Sequence, residues 1–109
     1  MLEVTRYVTE AGQDVFGQWL ASLKDARARA KVAARIARLT AGNFGDCKPI
    51  DAGVWELRID WGPGYRVYYA MVQRTCLVLL CGGDKRKQAA DVRRAKAYWI
   101  DYQRRSEKS

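Results

Sequence analysis

The sequence predicts one α+β domain with the element order β-α-α-β-β-β-α. Its sheet is mostly antiparallel, with a helical hairpin on one face and a helix at the C-terminal end. Around a Gly-Pro-Gly corner, "VWELRID" and "YRVYYAMV" alternate apolar and polar residues, which is the period of a half-buried strand. Two earlier stretches and one late stretch repeat apolar residues at helical spacing. A chain of 109 residues has the size of a single domain, here residues 1–109.

The first strand and the helical hairpin are predicted in the N-terminal part of the chain. "LEVTRYVT", residues 2–9, alternates and predicts a strand that Gly12 ends. Apolar residues from Val15 to Leu23 recur at helical spacing and predict a helix of about ten residues. Asp25 is a good N-cap for a second helix, which Gly42 ends. Because the two helices follow each other almost directly, we expect a helical hairpin.

Three further strands and a final helix follow. The segment "GNFGDCKPID" predicts a loop, with a short edge strand as the alternative. "TCLVLLC" is continuously apolar, which is typical of a central strand buried on both faces, and we expect Gly82 and Gly83 to end it. The last helix is predicted from about Lys87 by its apolar spacing. We expect it to fray into a basic tail over about residues 103–109.

The same alternation predicts which aromatic side chains are buried. Tyr65 and Tyr69 fall on the apolar face, and Tyr68 falls on the opposite face. Tyr68 is therefore the tyrosine expected to be exposed and able to stack on an RNA base. Trp61, at the corner, fits either environment. The tryptophans expected in the core are Trp19, Trp55 and Trp99.

The net charge of +8 is concentrated in two blocks of the chain. Residues 21–45 carry six bases and one acid, and residues 81–109 carry nine bases and four acids, so each block has a net charge of +5. This favours a polyanionic partner, nucleic acid first. A membrane surface is disfavoured, because the basic blocks lack an aromatic stripe. The N-terminal residues lack the basic leader of a signal peptide, so a cytoplasmic protein is expected.

The residue types exclude several classes of site. The chain has no histidine, which excludes Ser-His-Asp and Cys-His catalysis and removes the usual general base. Its three cysteines, Cys47, Cys76 and Cys81, are odd in number and show no CxxC spacing. We expect them to act as small apolar residues, and we predict no metal site.

Two arginines are predicted side by side on the face opposite the helical hairpin. Alternation places Glu56, Arg58, Arg66 and Tyr68 on this face, which is expected to be open. Cross-strand neighbours lie about 5 Å apart, so two arginines repel each other unless a negative group lies between them. Glu56 is one candidate for that group. A phosphate is the other, because guanidinium groups bind phosphate through two hydrogen bonds.

A second basic feature is "CGGDKRKQ", residues 81–88. It places Lys85, Arg86 and Lys87 at the start of the last helix, where the helix dipole disfavours cations. Asp84 is expected to cap the helix. Cations at this position are explained by a bound anion, or by simple exposure to solvent. If the two features converge, Arg58, Arg66 and Lys85 form one phosphate-binding groove.

Most of the chain resembles a known family. "FGQWLASLKDARARAKVAARIARLTAGNFGDCKPI", "GVWELRIDWGPGYRVYYA" and "VLLCGGDKRKQAADVRRAKAYW" are similar to addiction-module killer proteins, the RelE/HigB-like toxins of type II toxin–antitoxin systems. The resemblance runs from about Phe16 to Trp99. It implies a RelE-like fold and ribosome-dependent cleavage of messenger RNA without a metal or other cofactor.

The resemblance also implies roles for individual residues. Arg66 matches the family's strand arginine, and Arg58 and Lys85 fall where relatives place basic residues, so these three are the predicted catalytic residues. Asp91 lies near a position where some relatives have tyrosine or histidine. The candidates for moving or positioning protons are Glu56, Tyr68 and Asp91, and Lys85 is a further candidate for moving one. The residues expected to contact RNA phosphates are Arg86, Lys87 and Arg93.

The partners implied are the ribosome with its mRNA and a cognate antitoxin, expected to be a small helix-turn-helix protein. The toxin alone is expected to be a monomer that does not bind membranes. Two alternatives stay open. ParE-like toxins share the fold and poison DNA gyrase, and fold does not determine function. A non-enzymatic nucleic-acid-binding protein also needs a basic face.

Overall fold

The computed structural model describes residues 1–107 and contains a five-stranded sheet between two layers of helices, which confirms the α+β prediction. The chain order is β1-α1-α2-β2-β3-β4-β5-α3, and a short 3₁₀ turn, Lys85–Lys87, separates β5 from α3. The strands are β1 (Glu3–Arg6), β2 (Cys47–Asp51), β3 (Val54–Ile59), β4 (Tyr65–Val72) and β5 (Cys76–Asp84). The helices are α1 (Val15–Ser22), α2 (Ala26–Thr40) and α3 (Gln88–Glu107).

The sheet has the strand order β1-β5-β4-β3-β2. All neighbours are antiparallel except β1 and β5, which run parallel. The edge strand β2 pairs with β3, so the alternative for "GNFGDCKPID" was the right one. Strand β1 is shorter than predicted, because only Glu3 to Arg6 pair with β5.

The helical hairpin covers the apolar face, as predicted. Asp25 caps α2, since its carboxylate accepts a hydrogen bond from the Arg27 N–H at 2.9 Å. Gly42 follows the helix with φ of 91°, the left-handed geometry typical of a helix end. Buried members of this core layer include Phe16, Val32, Leu39, Leu57, Ile59, Val67, Tyr69, Leu77 and Leu79.

The opposite face of the sheet is not open, which corrects the prediction. Helix α3 packs across it and buries Tyr68 completely. Alternation correctly separated the two faces of β4, but it does not tell whether another element covers the polar face. Tyr68 is therefore a core residue and not a stacking platform. Buried members of this second layer include Tyr7, Val54, Tyr68, Ala70, Val78, Leu80, Cys81, Ala95 and Trp99.

One tryptophan prediction is also wrong. Trp55 lies on the predicted face but keeps 37% of its surface exposed, because its position falls where α2 has already ended. Trp99 is buried, and Trp19 packs partly buried against the core. Trp61 is half-buried, and the Lys31 ammonium lies 5.0 Å from the centre of its ring.

Gly82 and Gly83 lie inside β5 and do not end it. Their role is to allow close contact on both faces of the strand. A Cβ atom at Gly82 would lie 2.2 Å from the Trp19 ring, and one at Gly83 would lie 1.9 Å from Asp91 Oδ2. Both distances are far below van der Waals contact. The two glycines are thus required by an indole on one face and a carboxylate on the other.

Replacing Gly82 by alanine is expected to lower the free energy of unfolding by about 1–3 kcal/mol, the usual range for overpacking a core. Urea denaturation measures the change. The matched control is Trp19→Leu, alone and combined with Gly82→Ala. Because the smaller side chain leaves room for the methyl group, the double variant should lose less than the sum of the two single losses. A fully additive result would show that the Trp19 contact does not explain Gly82.

The last helix extends further than the sequence predicts. α3 continues to Glu107, so residues 103–107 of the predicted tail are helical, and residues 108 and 109 lie outside the described part. Arg105 pairs with Asp101 at 2.9 Å and lies over the Tyr7 ring, which ties the final turns to the sheet. Within residues 1–107, no helix is both long enough and apolar enough to cross a membrane.

Candidate functional site

A cleft at one end of the sheet contains the three residues predicted to be catalytic. It lies near the Gly-Pro-Gly corner, where β3 and β5 end and β4 begins, and its volume is about 250 Å³. We call it the β3–β4 cleft. Its lining residues are Asp46, Arg58, Ile59, Asp60, Gly64, Tyr65, Arg66 and Lys85.

The pairing of strands brings the two arginines together. Arg58 and Arg66 are directly opposite each other in the β3–β4 register, as the alternation predicts. In the pairing of β4 with β5, Tyr65 is opposite Asp84. Lys85 directly follows this last residue of β5 and therefore lies beside the same corner. The convergence of Arg58, Arg66 and Lys85 was therefore predictable from strand period and turn position.

Each arginine has its own carboxylate. Arg58 forms an ion pair with Asp46 at 3.0 Å, and both side chains are well exposed. Arg66 Nε lies 3.5 Å from Glu56 Oε2, and here Arg66 is only 12% exposed while Glu56 is completely buried. A buried carboxylate needs such a partner, since an unpaired charge in the interior is costly. Glu56 thus neutralises and orients Arg66 from below the cleft.

Helix α3 completes the environment of Glu56. The side-chain amide of Gln88, the first residue of α3, donates a hydrogen bond to Glu56 Oε2 at 2.9 Å. The start of α3 is therefore attached to the residue that holds Arg66. Gln88 was not among the predicted site residues, and a polar side chain at the beginning of a basic helix carries no sequence signal for this contact.

The proposed proton-transfer residues Glu56, Tyr68 and Asp91 do not line the cleft. All three lie buried between the sheet and α3. Burial raises the pKa of Tyr68, and the nearby Glu56 carboxylate raises it further, so its hydroxyl stays protonated at neutral pH. Asp91 accepts a hydrogen bond from Arg94 at 2.7 Å. These three groups therefore lie behind the cleft, in the buried layer between the sheet and α3, and not at its surface.

The basic residues after β5 divide into two groups. Lys85 lines the cleft. Arg86 instead turns to Asp84 at 3.0 Å with its side chain 80% exposed, and hydrogen bonding from Arg86 lowers the pKa of Asp84. Asp84 also accepts from the Arg86 N–H at 2.9 Å and caps the turn, as predicted. Lys87 and Arg93 are exposed outside the cleft.

The lining of the β3–β4 cleft is suited to a phosphate group. Three cations and two carboxylates line it, and a phosphate that enters would meet guanidinium donors able to form paired hydrogen bonds. Asp46 and Asp60 are the carboxylates that reach this space. Sequence reasoning missed Asp46, because it belongs to the predicted loop and only the β2–β3 pairing brings it beside Arg58.

Comparison with known proteins places the chain in a sequence family. Residues 18–97 match the family model described as "Phage derived protein Gp49-like (DUF891)". A Haemophilus influenzae protein described as "Uncharacterized protein" is 53% identical over 81 residues, which cover 74% of this chain and 82% of that protein. Residues 18–97, which the family model matches, include the lining of the β3–β4 cleft as well as Gln88 and Asp91.

Proposed function

Because this chain belongs to the Gp49-like family of phage-derived proteins, we propose that it is the toxin of a type II toxin–antitoxin system that cleaves messenger RNA on the ribosome. The family is of the addiction-module, RelE-like toxin type. The observation that carries the proposal is the convergence of Arg58, Arg66 and Lys85 on one solvent-accessible cleft.

The proposed reaction is an internal phosphoryl transfer in RNA. The 2′-hydroxyl of one nucleotide attacks the adjacent phosphorus, the bond from phosphorus to the 5′-oxygen breaks, and a 2′,3′-cyclic phosphate and a 5′-hydroxyl result. Negative charge grows on the phosphate oxygens as the new bond forms. Fixed cations at that point stabilise the transition state more than the substrate. Arg66 and Lys85 supply this charge, with Arg58 beside them.

Two protons must also move during this reaction. The 2′-hydroxyl loses one and the leaving 5′-oxygen gains one. Since Glu56, Tyr68 and Asp91 are buried between the sheet and α3 and do not line the cleft, they act on the reaction only through other groups. Asp46 and Asp60 line the cleft and become the carboxylate candidates for accepting the first proton.

Lys85→Arg is expected to retain cleavage within about tenfold of the unmodified protein, or about 1.4 kcal/mol in activation free energy. Arginine keeps the positive charge that holds phosphate, although its guanidinium does not release a proton in this pH range and so cannot transfer one. Single-turnover cleavage of ribosome-bound mRNA between pH 6 and 9 is the measurement. Lys85→Ala is the matched control and should lose about 100-fold. A thousandfold loss in Lys85→Arg with intact ribosome binding would instead assign proton transfer to Lys85.

The deciding experiment is induced expression in bacteria followed by mapping of mRNA 5′ ends. We expect growth arrest with new ends inside translated messages, and normal growth when the antitoxin is co-expressed. Arrest with intact mRNA and trapped gyrase–DNA complexes would favour the ParE-like alternative. Normal growth with abundant folded protein would contradict the proposed toxicity.

A further inference from the structure

An apolar groove lies on the α1–α2 face of the sheet, where α2 no longer covers it. α2 ends at Thr40. Beyond that point Trp55, Tyr69 and Met71 line an open pocket of about 300 Å³ with Phe44 from the loop after α2. A second pocket of about 330 Å³ shares Phe44 and Met71 and continues to Met1. We call this continuous surface the Phe44 groove.

The groove collects exposed apolar side chains. Six large apolar residues are exposed among residues 1–107, and three of them, Met1, Phe44 and Trp55, line this groove. Phe44 is 46% exposed although it is held beside the sheet. Single exposed apolar residues are common, but a contiguous set that includes aromatic side chains is typical of a protein interaction site.

The edges of the groove are positively charged. Arg35 donates a hydrogen bond to the Phe44 carbonyl at 3.3 Å, which places a guanidinium beside the aromatic wall. Arg74 lines the other end, and neither pocket has an acidic residue in its lining. A second copy of this chain, with its own net charge of +8, would be repelled here. An acidic partner would be attracted.

We propose that the Phe44 groove binds a segment of another protein that is apolar on one side and carries Asp or Glu beside that side. An amphipathic helix has this chemistry, and it would insert apolar side chains between Phe44 and Trp55. The aliphatic surface of Leu2, Ala41 and Met71 favours such a segment over RNA bases, which stack on aromatic planes. The Phe44 groove shares no lining residue with the β3–β4 cleft, so the proposal does not depend on the proposed nuclease activity.

A displayed library of helical peptides tests this proposal with the full chain. Apolar residues are fixed on one side of the helix, and the flanking positions are randomised equally among Asp, Glu, Lys, Arg and Ser. We expect selected peptides to contain a clear excess of acids over bases. Phe44→Asp should weaken the best peptide by at least about 30-fold, as at a central interface residue. Arg74→Glu should weaken it by about fivefold, as for a charge at the rim.

Ile100→Asp is the matched control, because Ile100 is 47% exposed on α3, which packs on the other face of the sheet. It should leave peptide affinity unchanged. The proposal is overturned if no peptide is enriched, if acids and bases are selected equally, or if Phe44→Asp and Ile100→Asp act alike. The proposal is also overturned if a single-stranded RNA displaces the peptide and if the same RNA fails to bind the Phe44→Asp variant. These two results together would identify the groove as an RNA-binding surface.

Discussion

Arg66→Lys is expected to reduce single-turnover cleavage of ribosome-bound mRNA by about 100- to 1000-fold, the usual effect of removing one well-placed donor from a transition state. Lysine preserves the charge that Glu56 needs but lacks the planar pair of N–H donors that fits a phosphate. Since Glu56 orients Arg66 from a completely buried position, the loss should appear in the cleavage step and leave ribosome binding nearly unchanged.

Two matched substitutions separate geometry from charge. Arg86→Lys changes an exposed arginine outside the cleft and should have little effect. Arg58→Lys should have an intermediate effect, because Arg58 is 40% exposed and shares its guanidinium with Asp46. If Arg66→Lys cleaves at the unmodified rate, Arg66 contributes only charge, and the assignment of paired hydrogen bonds to phosphate is wrong.

Arg66→Leu is expected to lower the free energy of unfolding by about 3–5 kcal/mol, the cost of leaving one member of a buried ion pair without its partner. The carboxylate left behind is Glu56, which is completely buried. Urea denaturation at neutral pH measures the change. For this reason toxicity lost in Arg66→Ala does not by itself identify a catalytic residue, whereas loss in Arg66→Lys does.

The double variant Glu56→Gln with Arg66→Leu identifies the source of this instability. Glutamine removes the buried charge but retains an oxygen that can accept the hydrogen bond from Gln88. The double variant should therefore be more stable than Arg66→Leu alone. Arg86→Leu removes an 80% exposed partner of Asp84 and should lower the stability far less than Arg66→Leu does. If the loss in the double variant equals the sum of the losses in Glu56→Gln and Arg66→Leu, the two side chains are not coupled.

The sequence alone determined much of the site, because short-range rules define it. A period of two around a Gly-Pro-Gly corner places Arg58 opposite Arg66, and the end of the next apolar strand brings Lys85 to the same corner. Asp25 and Asp84 were predictable as caps because an N-cap contact involves only neighbouring residues. The family also has a local signature in the sequence, since the Gp49-like family model matches residues 18–97.

Tertiary structure alone decided which faces are covered. Alternation separates the two faces of a strand, but burial depends on how far a distant helix reaches across them. Helix α3 crosses the polar face, so Tyr68, Glu56 and Asp91 became a buried supporting layer. Helix α2 ends early on the apolar face, so Trp55 remained exposed. Gly82 and Gly83 show the same limit, since the side chains that require them come from α1 and α3. Strand period carries no information about such long-range contacts.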